Sequence, residues 1–192
     1  MPIVLAERIE TPRMERNSME ALVVIDVQNE FSSAGAMAVE GHAAALEEIA
    51  ALVTAARAAG QPIAWILHNN AADAERFRPG SWGAELSPEL ESAEDEPVLV
   101  KTVFGALTGT ELGAWLDEKD AAGIELVGFL THMCVSTTAR EALMRGLKVA
   151  IDARATGSRA IDSSAGSFPA DVIHRTALAH LETMGVTIRR AD

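Results

Sequence analysis

Residues 21–27 read A-L-V-V-I-D-V, a continuous apolar run that only Asp26 interrupts. A strand buried on both faces has this pattern, and such strands occur in parallel sheets that helices cover on both sides. Shorter apolar runs along the rest of the chain are also predicted as strands, at 62–67, 97–100, 124–129, 147–151 and 186–188. The first run therefore predicts the class of sheet, and the others supply its remaining strands.

Segments with helical spacing lie between most of these strands. In the first of them apolar residues recur every three or four positions, and Gly60 follows as a stop signal. Strands that alternate with helices predict an α/β fold: a doubly wound, mostly parallel six-stranded sheet with helices on both faces, in a Rossmann-like three-layer arrangement. The predicted helices are 41–59, 110–119, 134–146 and 169–184.

The domain organisation is predicted to be simple. Residues 1–20 have no clear periodicity and are interpreted as an N-terminal extension or arm, whereas residues 21–192 are predicted to form a single domain. Within that domain the segment 68–96 is long, polar and rich in Pro, Gly, Asp and Glu. A loop of this length in a compact domain is typical of a functional lid or binding loop, and a short helix can lie inside it.

Charge and cysteine content favour some classes of function over others. The chain of 192 residues carries 16 Lys and Arg against 28 Asp and Glu, a net charge of −12, which disfavours nucleic-acid and membrane-surface partners. No apolar run approaches the roughly 20 residues that a membrane span needs, and residues 1–20 lack the apolar centre of a secretory signal. The single cysteine excludes an intramolecular disulfide and favours a cytoplasmic location.

Three polar residues stand at predicted strand ends, where open parallel sheets bind their ligands. Asp26 ends the first strand, Lys101 ends the third and is one of only three lysines, and Cys134 begins the helix after the fourth. Each has an ordinary alternative: a loop-capping aspartate, a lysine that extends to water, and a buried structural cysteine. Together they would supply a base, a cation and a nucleophile in one site.

The predicted helix start has a further consequence for Cys134. Free N–H groups and the helix dipole stabilise a thiolate, and a nearby Lys101 would do the same. We therefore expect Cys134 to react with alkylating agents already at mildly acidic pH. The same N–H groups could hold an oxyanion.

Four blocks of the sequence resemble those of the isochorismatase-like cysteine hydrolases, and they span about residues 20–188. The first block contains Asp26, the second ends at Lys101, the third contains Cys134 and the fourth is the strand and loop that follow. In chain order they read A-L-V-V-I-D-V-Q-N-E-F, S-W-G-A-E-L-S-P-E-L…E-P-V-L-V-K, V-G-F-L-T-H-M-C-V-S-T-T-A-R and G-L-K-V-A-I-D-A-R-A-T. Their order and spacing together make the resemblance specific.

The resemblance implies a catalytic triad. Asp26 would be the general base that takes the thiol proton, Cys134 would attack an amide carbonyl, and Lys101 would stabilise negative charge and orient Asp26. It also implies a cis peptide bond between Phe129 and Leu130. The N–H groups of Leu130 and Cys134 would then form the oxyanion hole, and an acyl-thioester would be hydrolysed in a second step.

Two departures from the family pattern narrow the reaction. The metal-binding nicotinamidase branch carries an Asp-x-His pair after the second strand, whereas this chain has W-I-L-H-N-N with His68 alone. We therefore predict no metal and no cofactor, and disfavour nicotinamide as substrate. The isochorismate-cleaving branch lacks the nucleophilic cysteine, so Cys134 argues against vinyl-ether hydrolysis.

The sequence also suggests a wider set of residues and partners. The expected partners are a small-molecule substrate and, as the resemblance implies, further copies of the chain in a homodimer or homotetramer. One alternative is a non-catalytic binding or regulatory protein on the same scaffold, and another is a vinyl-ether hydrolase. A dinucleotide-binding oxidoreductase is disfavoured, because no G-x-G-x-x-G turn follows the first strand. Candidates for the walls of the substrate pocket are Gln28, Phe31, His68, Trp82, Phe104, Thr131 and His132.

Overall fold

The apolar run at 21–27 lies in the middle of a six-stranded sheet in the computed structural model, which describes residues 20–190. Of the predicted N-terminal extension, only Glu20 falls within the described residues, where it begins the first strand. No helix in residues 20–190 combines the length and the apolar character that crossing a membrane requires. The elements are β1 Glu20–Ile25, α1 His42–Ala58, β2 Ile63–His68, β3 Val98–Lys101, α2 Leu112–Glu118, β4 Gly123–Phe129, α3 Ser136–Met144, β5 Lys148–Gly157, β6 Ile161–Ser163, β7 Gly166–Phe168, α4 Ala170–Thr183 and β8 Thr187–Arg189.

The sheet has the order β3-β2-β1-β4-β5-β8, and every neighbouring pair in it is parallel. Side chains alternate between the two faces of β1: Leu22 and Val24 pack in a hydrophobic cluster with α1, whereas Val23 and Ile25 pack in a second cluster with α2, α3 and α4. This arrangement confirms the predicted doubly wound α/β fold of three layers. It also places two hydrophobic cores back to back across the sheet.

The carboxyl ends of β1 to β4 lie side by side at one edge of the sheet. Ile25 pairs with Ile66 on one side and Gly128 on the other, and His68 pairs with Lys101. Gly128 has φ +111°, and a Cβ atom there would lie 1.9 Å from the carbonyl oxygen of Ile25. Only glycine fits this close approach of β4 to β1, which draws the segment after β4 toward the end of β1.

Two features of the β5 region differ from the sequence prediction. The fifth strand was expected to end at Ile151, but it continues to Gly157 through a register shift opposite β4. Buried Asp152 makes this possible, because its carboxylate accepts the N–H groups of Arg154 and Ala155. Beyond it, β6 and β7 form a separate antiparallel hairpin that has no counterpart among the predicted elements.

The segment 68–96 is largely irregular, as predicted, with a 3-10 turn at Trp82–Ala84. Its far end is fixed by Glu96, whose carboxylate accepts hydrogen bonds from Arg57 Nε at 2.8 Å, Trp65 Nε1 at 2.7 Å and Ala93 N at 3.0 Å. The hydrogen bond from Arg57, together with those from Ala93 and Trp65, lowers the pKa of Glu96 to about 2. Ionised Glu96 therefore ties the end of the loop to α1 and β2.

Glu96→Gln is expected to lower the free energy of unfolding by about 1–2 kcal/mol at neutral pH. The expected loss is modest because Arg57 is 41% exposed, so that solvent screens its ion pair with Glu96. The pKa of Glu96 is lower in the folded chain than its ordinary value of 4.5, so its stabilisation is complete above that value and is lost as the pH falls toward about 2. Urea unfolding of both proteins at neutral pH and at about pH 3 tests this. A gap of the same size at both pH values would contradict it.

Candidate active site

Three sequence-predicted residues, Asp26, Lys101 and Cys134, meet at the carboxyl edge of the sheet. Asp26 directly follows β1 with φ +52°, a left-handed conformation that aspartate tolerates better than most residues. Lys101 is the last residue of β3, and Cys134 lies in one π-helical turn, Thr131–Val135, between β4 and α3. Because β2 separates β3 from β1, the long Lys101 side chain must cross the end of β2 to reach Asp26.

The distances define a tight polar cluster. Lys101 Nζ lies 2.7 Å from Asp26 Oδ2 and 3.2 Å from Cys134 Sγ. The side chains of Lys101 and Asp26 are 0% and 1% exposed, and Cys134 is 7% exposed. An ion pair this deeply buried costs several kcal/mol of desolvation, so retaining it favours a chemical role over a stabilising one.

The electrostatics of the cluster set the resting state of the thiol. Burial raises the pKa of Asp26, although the Lys101 ammonium opposes that increase. Burial also raises the pKa of Cys134 to about 12; the Asp26 carboxylate adds to the increase because it disfavours a second negative charge nearby, and Lys101 opposes it. Cys134 is therefore a thiol at neutral pH, beside a carboxyl group with increased proton affinity.

This result corrects the sequence prediction that Cys134 alkylates at mildly acidic pH. That prediction counted the helix start and Lys101, both of which favour a thiolate. It could not count burial of the sulfur or its closeness to Asp26, which outweigh them. The helix itself also begins later than predicted, because Cys134 lies in the π-helical turn and α3 starts at Ser136.

The corrected prediction concerns the reaction of Cys134 with iodoacetamide. We expect the rate to rise about tenfold for each pH unit from about pH 6 to 9, because only the thiolate reacts and its pKa of about 12 lies above this range. Asp26→Asn removes the negative charge that raises this pKa, so we expect that variant to be alkylated several-fold faster while its hydrolysis is lost. Intact-mass measurement follows both rates. A plateau below about pH 8 in the unmodified chain would contradict the prediction.

The structure places two of the predicted pocket residues inside the protein. Gln28 is 0% exposed, and its amide bonds the backbone N–H and C=O of His68 and the C=O of Ala84. Phe31 is 3% exposed and contacts the rings of Phe77 and Phe129. Both side chains support the loops and strand ends around the cluster rather than an open surface.

The other pocket candidates differ widely in exposure. Trp82 and Phe104 are 52% and 54% exposed. Thr131 is buried, with its hydroxyl 2.9 Å from His174 Nδ1, and half-buried His132 has Nδ1 3.0 Å from Ser158 Oγ. His132 also lines a cavity of about 360 Å³ between α3, α4 and the β6–β7 hairpin.

His68 ends β2 and is placed against Lys101, not against an open pocket. Its Nδ1 lies 3.3 Å from Lys101 Nζ, and its Nε2 lies 2.8 Å from Asn70 Oδ1. Both ring nitrogens thus have partners, one of them a cation, so this ring does not fit the role of a metal ligand. In residues 20–190 no group of three or more His, Cys, Asp or Glu side chains is placed to hold one metal ion.

The backbone between β4 and Cys134 supplies the N–H groups that lie beside the thiol in sequence. The peptide bond between Phe129 and Leu130 is cis, and Leu130 is 2% exposed. Met133 N and Val135 N both donate to the carbonyl of Leu130, which closes the π-helical turn. The N–H group of Leu130 lies directly before this turn, and the N–H group of Cys134 lies within it.

Among the residues that contact the predicted ones are three polar side chains that the sequence did not indicate. Asn70 bonds the ring of His68, His174 bonds Thr131 and Ser158 bonds His132. Asn70 follows His68 by two residues and could have been found as a polar neighbour at the same strand end. The other two lie 43 and 26 residues away from their partners, and no local pattern reveals such contacts.

Comparison with known proteins gives a consistent result. The sequence model of the isochorismatase domain matches residues 20–192. The secreted isochorismatase effector Isc1 of Verticillium dahliae is 36% identical over 140 residues, which are 73% of each protein. A streptothricin hydrolase of Streptomyces noursei is 38% identical over 140 residues, 72% of this chain and 50% of that protein.

The fold comparison agrees with the sequence comparison. The crystal structure of an isochorismatase from Pseudomonas putida KT2440 superimposes with a TM-score of 0.84 at 31% identity, covering 89% of this chain and 87% of that one. The match to the domain model extends over all of the described residues and includes Asp26, Lys101 and Cys134. The chain therefore belongs to the isochorismatase family, whose members are hydrolases and include amidohydrolases.

Proposed function

We propose that the chain hydrolyses the C–N bond of a small-molecule amide through an acyl-thioester on Cys134. The observation that carries this proposal is the buried cluster in which Lys101 Nζ lies within 2.7 Å of Asp26 and 3.2 Å of Cys134. A thiol, a proton acceptor and a fixed cation are the groups that nucleophilic acyl transfer needs.

In the first step Asp26 takes the proton of the Cys134 thiol as sulfur attacks the carbonyl carbon. The increased pKa of Asp26 suits this role, because a base with higher proton affinity removes a thiol proton more easily. A carbon–sulfur bond forms and the carbonyl π electrons move to oxygen. The tetrahedral intermediate collapses when the carbon–nitrogen bond breaks, and the nitrogen leaves as ammonia or an amine with the proton from Asp26.

In the second step water attacks the thioester carbon while Asp26 takes a proton from the attacking water. The carbon–sulfur bond breaks, the carboxylic acid leaves, and the proton returns to the Cys134 sulfur. Lys101 stabilises the thiolate and keeps Asp26 oriented in both steps. We assign the oxyanion in each intermediate to the backbone N–H groups of Leu130 and Cys134.

The two alternative functions predict different chemistry. A non-catalytic binding protein would gain nothing from a buried ion pair around a thiol, since such a pair is a weak source of stability. A vinyl-ether hydrolase would not need Cys134 as nucleophile. We further propose a cytoplasmic, homodimeric or homotetrameric protein without metal or cofactor; the V. dahliae relative, by contrast, is named a secreted effector.

The test is a panel of aliphatic and aromatic primary amides with isochorismate as the vinyl-ether member. We expect ammonia release from at least one amide and an acyl adduct on the single cysteine, seen by intact-mass measurement after an acid quench. Hydrolysis of isochorismate without an adduct would favour the vinyl-ether alternative. Absence of both turnover and adduct across the panel would favour the binding protein.

A further inference from the structure

The ammonium group of Lys101 has three polar neighbours, one of them an ion-pair partner, and the proposed reaction uses only two of them. An ammonium carries three N–H donors. Nζ lies 2.7 Å from Asp26 Oδ2, 3.2 Å from Cys134 Sγ and 3.3 Å from His68 Nδ1. Because the Lys101 side chain is 0% exposed, an N–H that lost its acceptor would be buried without a partner.

The His68 ring can accept from Lys101 only if its other nitrogen carries the proton. Nε2 lies 2.8 Å from Asn70 Oδ1, and a carbonyl oxygen only accepts, so Nε2 is the protonated nitrogen. The Asn70 amide is itself oriented, because its Nδ2 donates to the carbonyl of Arg76 at 3.0 Å. Groups that can play only one role thus assign a neutral ring with Nδ1 toward the ammonium.

The position of the His68 ring is fixed by further contacts. Gln28 Oε1 accepts from the backbone N–H of His68 at 2.8 Å, and Gln28 Nε2 donates to its C=O at 2.9 Å. The ring of Phe77 contacts the imidazole edge-on with 5.5 Å between centroids. These contacts clamp the residue on both the backbone and the ring, so Nδ1 has little freedom to turn away from Lys101.

We propose that His68 is a positioning residue that holds Lys101 between Asp26 and Cys134, and that Asn70 selects the tautomer this requires. His68 acts through Lys101 and is not assigned a contact with substrate. A protonated ring would place a second cation 3.3 Å from Nζ and remove the acceptor, so only the neutral ring fits. The inference rests on the proposed function in one respect: Lys101 matters because Cys134 reacts.

Iodoacetamide labelling of Cys134 tests the coupling without any substrate, because the chain has one cysteine. His68→Leu removes the acceptor and leaves a buried N–H unpaired, which disfavours the ammonium that supports the thiolate. His68→Asn is the matched control, since its Oδ1 can take the place of Nδ1. At about pH 9 we expect His68→Leu to slow alkylation about threefold or more, and His68→Asn to stay within about twofold of the unmodified chain.

A double-mutant cycle separates positioning from a general structural effect. In a Lys101→Met background the His68→Leu substitution is expected to have no further effect on the alkylation rate, because its effect passes through Lys101. An equal effect in both backgrounds, or no effect of His68→Leu when Lys101 is present, would overturn the inference. If His68→Leu does not fold, the alkylation rates of the His68→Asn and Asn70→Leu variants are compared with and without Lys101 in its place.

A spectroscopic measurement tests the tautomer directly. In the [15N]histidine-labelled chain, long-range 1H–15N spectra are expected to show His68 with Nε2 protonated and Nδ1 bare at neutral pH, with Asn70→Leu lowering that preference. A proton on Nδ1 or a charged ring at neutral pH would overturn the inference. Neither measurement involves turnover, so loss of the proposed hydrolase function would be detected separately by the amide panel.

Discussion

Cys134→Ala is expected to lower the turnover of any amide that the unmodified chain hydrolyses by a factor on the order of 10⁴ or more. The acyl-thioester needs the sulfur, and neither Asp26 nor Lys101 can replace it as nucleophile. Ammonia release measures the rate, and the acyl adduct should vanish from the intact mass. Activity within about tenfold of the unmodified chain would contradict the role of Cys134.

The fold is expected to survive this substitution, which makes the kinetic result interpretable. Cys134 is 7% exposed and packs in the core cluster. Cys134→Ala removes one sulfur atom and the acceptor of one Lys101 N–H, which together should cost about 1–3 kcal/mol. Cys134→Ser is the control for Lys101, because the hydroxyl can still accept from Nζ. We expect Cys134→Ser to retain the stability of the unmodified chain more closely than Cys134→Ala and to be almost as inactive.

The charged members of the site could be predicted because they are anomalies in their surroundings. Asp26 follows the apolar run A-L-V-V-I, and Lys101 follows V-L-V. A charged side chain at the end of such an apolar strand is costly to bury without a partner. Sequence alone does not give the strand order β3-β2-β1-β4, so it could not establish that Lys101 crosses β2 to reach Asp26. The resemblance supplied that expectation, and the structure supplies the distance of 2.7 Å.

Other features could not be predicted because they depend on burial or on distant contacts. The prediction that Cys134 alkylates at mildly acidic pH assumed a lowered thiol pKa. Burial of the sulfur raises that pKa instead, and a sequence does not reveal how deeply a side chain is buried. The continuation of β5 was missed because Asp152 and Arg154 resemble the polar end of a strand. In the structure Asp152 is 2% exposed and pairs with Arg190 from the end of the chain, which satisfies its charge inside the strand.

Lys101→Met is expected to be the most destabilising substitution at the site. It leaves the Asp26 carboxyl group 1% exposed and without its cation, and breaking a buried pair in this way typically costs about 3–5 kcal/mol. Turnover should be lost as well. The matched variant Lys101→Met with Asp26→Asn removes the uncompensated charge while keeping a residue that tolerates φ +52°, so we expect it to regain at least half of the lost stability at neutral pH.

The pH dependence of this loss follows from the direction of the Asp26 shift. Burial raises the pKa of Asp26 above its ordinary value of 3.8, and Lys101 is the main group that opposes the increase. Without Lys101 the folded chain holds a proton that the unfolded chain releases, so stability falls as the pH rises above that value, by up to about 1.4 kcal/mol per pH unit. The unmodified chain shares this decrease only up to the pKa of its own Asp26, which Lys101 holds below that of the variant. Urea unfolding between about pH 4 and 8 should therefore show a gap between the unmodified chain and Lys101→Met that widens above that pKa. A gap that stays constant would mean that lost packing, rather than the uncompensated Asp26 charge, destabilises the variant.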